Sequence, residues 1–159
     1  MSRVGFGYDI HRFGQGRPLV LGGVHIPHSQ GLVGHSDADV LIHAICDALL
    51  GAAAMGDIGR HFPNTDPKYK DISSLKLLAA VERLLKKKGY RILNIDSTVV
   101  LETPRITPFI EAMQVNIAKI LSLDPQEISI KATTHEGLGA IGSGMGCAAY
   151  CIVSLIPET

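Results

Sequence analysis

Alternation opens the chain. Between residues 3 and 11, Val4, Phe6, Tyr8 and Ile10 share one face, and Gly5, Gly7, Asp9 and His11 share the other. A period of two marks a β-strand with one buried face. Leu19 to Ile26, interrupted by Gly22-Gly23, predicts two short strands or a hairpin, and Gly31 to Gly34 predicts a loop. The spacing then turns helical: Val40, Leu41, Ala44, Ile45, Ala48 and Leu49 form an apolar face. Ser36-Asp37-Ala38-Asp39 is a capping-box-like start, with Asp in place of the usual Glu. From Gly56 to Asp71 the period is lost and Pro, Asp and Asn accumulate, so a long loop is expected. Loops of that length in a compact domain are usually functional.

The second half repeats the mixture. A helix is expected from Ser74 to Lys88, with Gly89 as its C′ residue and Lys86-Lys87-Lys88 at the end where cations suit the helix dipole. Ile92 to Leu101 is a strand rich in Ile and Val; Thr107-Pro108 opens a third helix that reaches about Leu121. Ile128 to Thr134 is a further strand, Gly137 to Gly146 a glycine-rich turn, and Cys147 to Ile156 a last strand. With no repeat and no linker, residues 1–159 read as one α+β domain: a mixed four-stranded sheet plus a short hairpin, with helices on one face. A sheet this apolar with three helices to cover it leaves one face for a partner.

Composition narrows the function. Apolar residues make up 46 % and charged residues 19 %, a globular balance, and Lys plus Arg equals Asp plus Glu at 15 each. A net charge of zero offers no field to draw in nucleic acid or an anionic membrane, so an anionic substrate must be held by local devices. No apolar run reaches the roughly 20 residues of a membrane span, and Met1-Ser2-Arg3-Val4-Gly5 has no signal-peptide pattern. The expected location is the cytoplasm, or the plastid stroma after removal of a transit peptide. Cys46, Cys147 and Cys151 form no CxxC pair and read as buried, reduced thiols.

Candidate chemistry starts at Asp9 and His11, which leave one strand on the same face, and at His43 on the first helix. One carboxylate and two imidazoles from two rigid elements suit a zinc ion with an open fourth position, the catalytic rather than the structural arrangement. Asp39 and Asp47 lie four residues either side of His43, and either could hold its second nitrogen. Gly137-Leu138-Gly139-Ala140-Ile141-Gly142 fits GxGxxG, but a dinucleotide fold needs a following helix and a second βα unit, and a short strand follows instead. A generic zinc hydrolase and a non-catalytic binding protein are the competing classes.

Longer stretches are more specific. Gly7-Tyr8-Asp9-Ile10-His11, Gly34-His35-Ser36-Asp37-Ala38-Asp39-Val40 through His43, and Asp47-Ala48-Leu49-Leu50-Gly51-Ala52-Ala53 resemble the 2-C-methyl-D-erythritol 2,4-cyclodiphosphate synthase family. So do Gly56-Asp57-Ile58-Gly59, Phe62-Pro63-Asn64-Thr65-Asp66-Pro67 and Lys131-Ala132-Thr133-Thr134, in order and over essentially the whole chain. The resemblance implies a cyclisation in which the 2-phosphate of 4-diphosphocytidyl-2-C-methyl-D-erythritol 2-phosphate attacks the β-phosphorus and expels CMP. It implies one zinc per subunit on Asp9, His11 and His43, and a second divalent ion, magnesium or manganese, on Glu136. His35 and Thr134 would be catalytic, positioning the 2-phosphate and holding phosphate oxygens, and the free N–H groups that follow His35 and Ser36 would favour an anion.

The same resemblance assigns substrate contacts to Asp9, His11, His35 and Ser36, to Asp57, Ile58 and Gly59 at the ribose and erythritol, and to Phe62, Pro63, Asn64, Thr65 and Asp66 in a closing loop. Leu101, Glu102, Thr103, Pro104, Arg105, Ile106 and Thr107 would line a cytosine pocket from a neighbouring subunit, and Thr133, Thr134, His135 and Glu136 would meet the phosphates. It further implies a homotrimer with interfacial active sites. Three positions depart: Asn64 stands where the closing loop commonly has Asp, and Ala140 and Ser143 stand where an aromatic residue and an arginine line an axial cavity that in some members takes an isoprenoid diphosphate. Met145 follows where Glu is common. With no cation at 143, the expectation is weak binding of such a ligand, farnesyl or geranyl diphosphate, or only an uncharged apolar molecule at the axis.

Overall fold

A computed structural model describes residues 1–158. In chain order it comprises β1 (Arg3–Gly14), β2 (Leu19–Leu21), β3 (Val24–Ile26), β4 (Gly31–Leu32), α1 (Val40–Ala52), α2 (Ile58–His61), α3 (Ser74–Lys87), β5 (Tyr90–Val100), α4 (Ile110–Leu121), β6 (Ile128–Thr133), α5 (Gly139–Gly142) and β7 (Gly146–Pro157). The sheet runs β4-β1-β7-β5-β6, and β2 and β3 form the expected hairpin as a separate pair. All neighbours are antiparallel except β5 and β6, which are parallel and joined through α4, as a parallel pair requires a crossover. The four predicted strands are β1, β7, β5 and β6. The fifth, β4, is where a loop was expected: Leu32 pairs with Phe13 and Gly31 with Gly14, a bridge too short to show any period.

Two helix starts differ from expectation. The first helix begins at Val40, not at Ser36, and its N-cap is Asp39, whose side chain accepts from the Ile42 N–H. Ser36 folds back locally and accepts from the N–H of Ala38 at 3.2 Å. The third begins as a 3-10 turn at Thr107–Phe109 before α4 proper, with Pro108 inside that turn. The long loop keeps its irregular course from residue 56 to 71, apart from the single turn of α2 and a 3-10 turn at Pro67–Tyr69.

Helix α1 is apolar around nearly its whole circumference because it lies under the sheet and is covered on its other side by α3. Its approach to β1 is unusually close. A side chain at Gly7 would overlap the carbonyl oxygen of Ala44, and one at Gly5 that of Ala48. The glycine face of β1 is therefore the face buried within the chain. Its apolar face, Val4, Phe6, Tyr8 and Ile10, is exposed and continues across β7 through Tyr150 and Ile152, with Phe6 61 % and Ile152 50 % accessible. A smaller cluster of Val100, Ile141 and Ala148 lies apart from the main core. Gly7→Ala should lower the free energy of unfolding by about 3 kcal/mol or more, because backbone on both sides must move. Urea denaturation checks this; an unchanged midpoint would contradict the close approach.

Candidate metal centre and cleft

Asp9 and His11 emerge from β1 toward α1, and His43 meets them from the helix. Asp9 Oδ2 lies 2.9 Å from His11 Nε2 and 3.0 Å from His43 Nδ1, and the two imidazole nitrogens are 3.2 Å apart. Three donors on a triangle of this size fit one face of a tetrahedron around an ion at ~2.0 Å, whose edges are about 3.3 Å. Among the described residues these are the side chains that meet as a three-donor group; Glu136 does not join them. The donor set, two imidazoles and a carboxylate, suits a divalent metal.

The local electrostatics belong to a coupled site. Burial by itself would raise the Asp9 carboxyl, but hydrogen bonds from His11 and His43 and their charges overcome this and hold it at about 2. Burial works against a charge on His11 as well, yet the Asp9 hydrogen bond and charge raise its pKa above the ordinary value. A cation placed between the three donors would take over that role.

The second nitrogen of His43 is not held by either acid expected from the spacing. The Asp39 carboxylate is fully buried and accepts from the N–H groups of Gly22 at 3.0 Å, Gly23 at 2.7 Å and Ile42 at 3.1 Å. Burial pushes this carboxyl up to about 6 although three N–H bonds pull it back. Asp47 accepts from the Ile58 N–H at 2.8 Å and so anchors the start of α2. His43 Nε2 instead faces Ser74 Oγ at 2.9 Å and Ser36 Oγ at 3.1 Å. Ser74 was invisible to the sequence reading because it lies far along the chain and comes near only when α3 covers α1. The N–H groups that follow His35 and Ser36 find partners within the chain: Asp37 donates to the Ile72 carbonyl, Ala38 to Ser36 Oγ and Asp39 to Asp37 Oδ1.

A cleft of about 200 Å³ opens above the three donors. It brings together the predicted residues His35, Ser36, Ile58, Gly59, Phe62 and Asn64, and adds Gly34, Tyr69 and Leu77, which sequence reasoning missed. The closing loop is tied down at several points. His35 Nε2 lies 3.2 Å from the Asp66 carbonyl, the Asp71 N–H donates to the His35 carbonyl at 2.8 Å, and Phe62 meets Tyr69 edge-on at 5.5 Å between ring centres. Arg17 donates to the Ser36 carbonyl at 2.6 Å and so steadies the wall that carries His35. Asp57 caps α2, accepting from the Arg60 N–H at 3.0 Å.

The other predicted residues lie elsewhere. Leu101, Glu102, Pro104, Arg105, Ile106 and Thr107 line a second pocket of about 200 Å³ with Thr133 and Thr134. Glu102 accepts from the His135 N–H at 2.7 Å, and Thr134 Oγ1 accepts from the Glu136 N–H at 3.1 Å. No lining residue is common to the two pockets. A third cavity, of about 320 Å³, is lined by Ala140 and Met145 together with Ile10 and Arg12. The hydroxyl of Ser143 donates to the Gly139 carbonyl at 2.9 Å. Arg12, on β1, is the cation among the residues that line this cavity. All three cysteines are free and buried, and burial pushes the Cys147 and Cys151 thiols to about 12.

A mixed sheet with helices on one face, carrying an Asp-His-His donor set at the floor of a cleft, defines the class: a small α+β domain with a candidate divalent-metal centre. The chain belongs to the YgbB family, whose model matches residues 2–156. It is 60 % identical over 151 residues to a 2-C-methyl-D-erythritol 2,4-cyclodiphosphate synthase of Syntrophomonas wolfei, covering 95 % of this chain and 96 % of that one. It is 59 % identical over 157 residues to the synthase of the same name from Pelotomaculum thermopropionicum, covering 99 % and 96 %. Among solved structures, the bifunctional IspDF of Campylobacter jejuni superposes with a TM-score of 0.94 at 45 % identity, over 98 % of this chain and 42 % of that one. This chain therefore spans less than half of the bifunctional protein. The CDP complex of Plasmodium falciparum IspF gives a TM-score of 0.87 at 35 % identity over 99 % and 97 %.

Asp39→Ala should destabilise the protein by about 3 kcal/mol, because it removes the α1 cap and strands the buried Gly22 amide and the half-buried Gly23 amide. Thermal or urea unfolding reads the loss; a change below about 0.5 kcal/mol would mean that water replaces the carboxylate.

Proposed function

We propose that this chain is a metal-dependent 2-C-methyl-D-erythritol 2,4-cyclodiphosphate synthase. The observation that carries the reading is the meeting of Asp9, His11 and His43 under a cleft walled by His35, in a chain 60 % identical to a synthase of that name. The substrate is 4-diphosphocytidyl-2-C-methyl-D-erythritol 2-phosphate. An oxygen of its 2-phosphate forms a bond to the β-phosphorus, the bond from that phosphorus to the bridging oxygen breaks, and CMP leaves with the electron pair. Such a transfer needs in-line positioning and neutralised oxygens more than covalent help. Asp9, His11 and His43 would hold a zinc ion, which would supply Lewis-acid neutralisation of phosphate oxygens.

The side chains supply the positioning. His35 and Ser36 orient the 2-phosphate from the cleft wall. Asp57, Ile58 and Gly59 hold the sugar hydroxyls, and Phe62, Pro63, Asn64, Thr65 and Asp66 close over the erythritol. Thr133, Thr134 and His135 meet the phosphates, and Glu136 would offer a carboxylate to a second divalent ion, magnesium or manganese, which prefers oxygen donors. Backbone groups of 101–107 read the cytosine edge, and Arg105 meets the α-phosphate.

The separation of the two pockets within one chain favours an active site completed by a neighbouring subunit. The uncovered stripe of Val4, Phe6, Tyr8, Ile10, Tyr150 and Ile152 offers the surface on which copies would meet, as a homotrimer. No helix among the described residues is long and apolar enough to cross a membrane, and the bacterial relatives favour a cytoplasmic enzyme.

Incubation with the cytidylyl substrate should yield CMP and a cyclic diphosphate. CMP with a linear product would favour a hydrolase, and no turnover in the presence of zinc and magnesium would favour a binding protein. His43→Ala should lose zinc and nearly all turnover while staying folded. Light scattering should find a trimer at micromolar concentration; an active monomer would sink the shared-site reading.

A further inference from the structure

An imidazole ligates a metal through a bare nitrogen, so its other nitrogen must keep the proton. For His11, Val33 makes the choice. A carbonyl only accepts, so Nδ1, 2.7 Å from the Val33 oxygen, donates, and Nε2 is the nitrogen whose proton an ion beside Asp9 replaces. His43 has no such carbonyl. Its Nε2 faces the hydroxyls of Ser74 at 2.9 Å and Ser36 at 3.1 Å, and a hydroxyl can donate or accept.

Asp37 removes the ambiguity. Ser74 Oγ donates to Asp37 Oδ1, and the Ser74 N–H donates to Asp37 Oδ2 at 2.9 Å, so the serine is gripped from both its hydroxyl and its amide. With its only hydroxyl proton directed to the carboxylate, Ser74 Oγ can do no more than accept from His43. A bare Nε2 would set its lone pair against that of Ser74 Oγ whichever way the Ser36 hydroxyl turns, so the hydrogen sits on Nε2, and Nδ1 is the nitrogen that an ion meets beside Asp9 and His11. Neither Asp39 nor Asp47 reaches Nε2, whose partners are the two serine hydroxyls; their carboxylates turn to the backbone amides of Gly22, Gly23, Ile42 and Ile58. Ser74 is fully buried, so water cannot compete for it.

We propose that Asp37 and Ser74 are positioning residues of the metal centre: the Asp37 carboxylate, acting through the Ser74 hydroxyl, holds His43 with its Nδ1 lone pair turned to the ion. This rests on the reading of Asp9, His11 and His43 as metal ligands. The same pair joins the two walls of the cleft. Ser74 starts α3, Asp37 precedes α1, and the Asp37 N–H donates to the Ile72 carbonyl at 3.1 Å, next to the latch between Asp71 and His35. The end of the closing loop and the orientation of one ligand thus share a single contact.

Competition against a chromophoric chelator measures zinc affinity in the wild type, Ser74→Ala, Asp37→Asn, the double variant and His43→Ala. Ser74→Ala and Asp37→Asn should each weaken zinc binding about 10- to 100-fold. Asparagine at 37 can donate to Ser74, which frees the hydroxyl proton for Nε2 and turns Nδ1–H toward the metal. The double variant should bind no more weakly than the worse single one, because Asp37 acts through Ser74. In the zinc-loaded wild type, the Nε2 proton of His43 should give a slowly exchanging NMR signal that is lost in Ser74→Ala. Unchanged affinity in Ser74→Ala, additive effects in the double variant, or no protected His43 signal in the wild type would each overturn the relay and leave the metal assignment standing. If Asp37→Asn does not fold, Ser74→Ala and the wild-type signal decide. Wild-type affinity in His43→Ala would overturn the metal assignment, and the relay with it.

Discussion

Everything at the metal centre depends on how closely α1 approaches β1. Gly5 and Gly7 present no side chain to the helix, and Ala44, Ala48 and Ala52 face them across the gap. Asp9 and His11 continue the same face of the strand, and His43 adjoins Ala44 on the helix. The distances of 2.9 to 3.2 Å between donor atoms therefore follow from backbone contact between a strand and a helix. Elements that touch through backbone have little freedom to slide, which suits a site whose donors must stay in place before an ion arrives.

That proximity brings polar groups into a region otherwise filled by leucine, isoleucine and valine. Each is matched. Asp39 ties α1 to the β2–β3 hairpin through two loop amides, Asp47 ties α1 to α2, and Asp37 ties the loop before α1 to the start of α3. Three acids within one helix and its approach each take backbone donors that would otherwise be buried without partners. They act as struts rather than ligands, and this leaves Asp9 as the carboxylate that faces the two imidazoles.

The sheet divides its labour by face. One side holds the core and the donor set; the other is a stripe of aromatic and branched side chains, with Tyr8 and Tyr150 at 5.0 Å between ring centres. Residues 101–107 and Thr134 form a coherent group of their own, but the fold does not carry them to His43.

By itself, the sequence determined the strands β1, β5, β6 and β7, the three longer helices, the break at Gly22-Gly23, the long loop and the three donors Asp9, His11 and His43. The physical reason is that periodicity, turn chemistry and donor type are properties of short stretches. It also carried the family resemblance, because motifs such as His35-Ser36-Asp37-Ala38-Asp39 keep their order and spacing. Only the tertiary structure decided which face of β1 is buried: alternation shows that two faces differ, and the glycine face won because α1 needed to come close. Tertiary structure alone also chose the partner of His43. Spacing offered Asp39 and Asp47 on the same helix, but backbone amides claimed both, and Ser74, 31 residues away, took the place when α3 covered the site. Hydrogen-bond partners of a buried side chain are set by what folding brings near and by which competing donors it leaves unmatched.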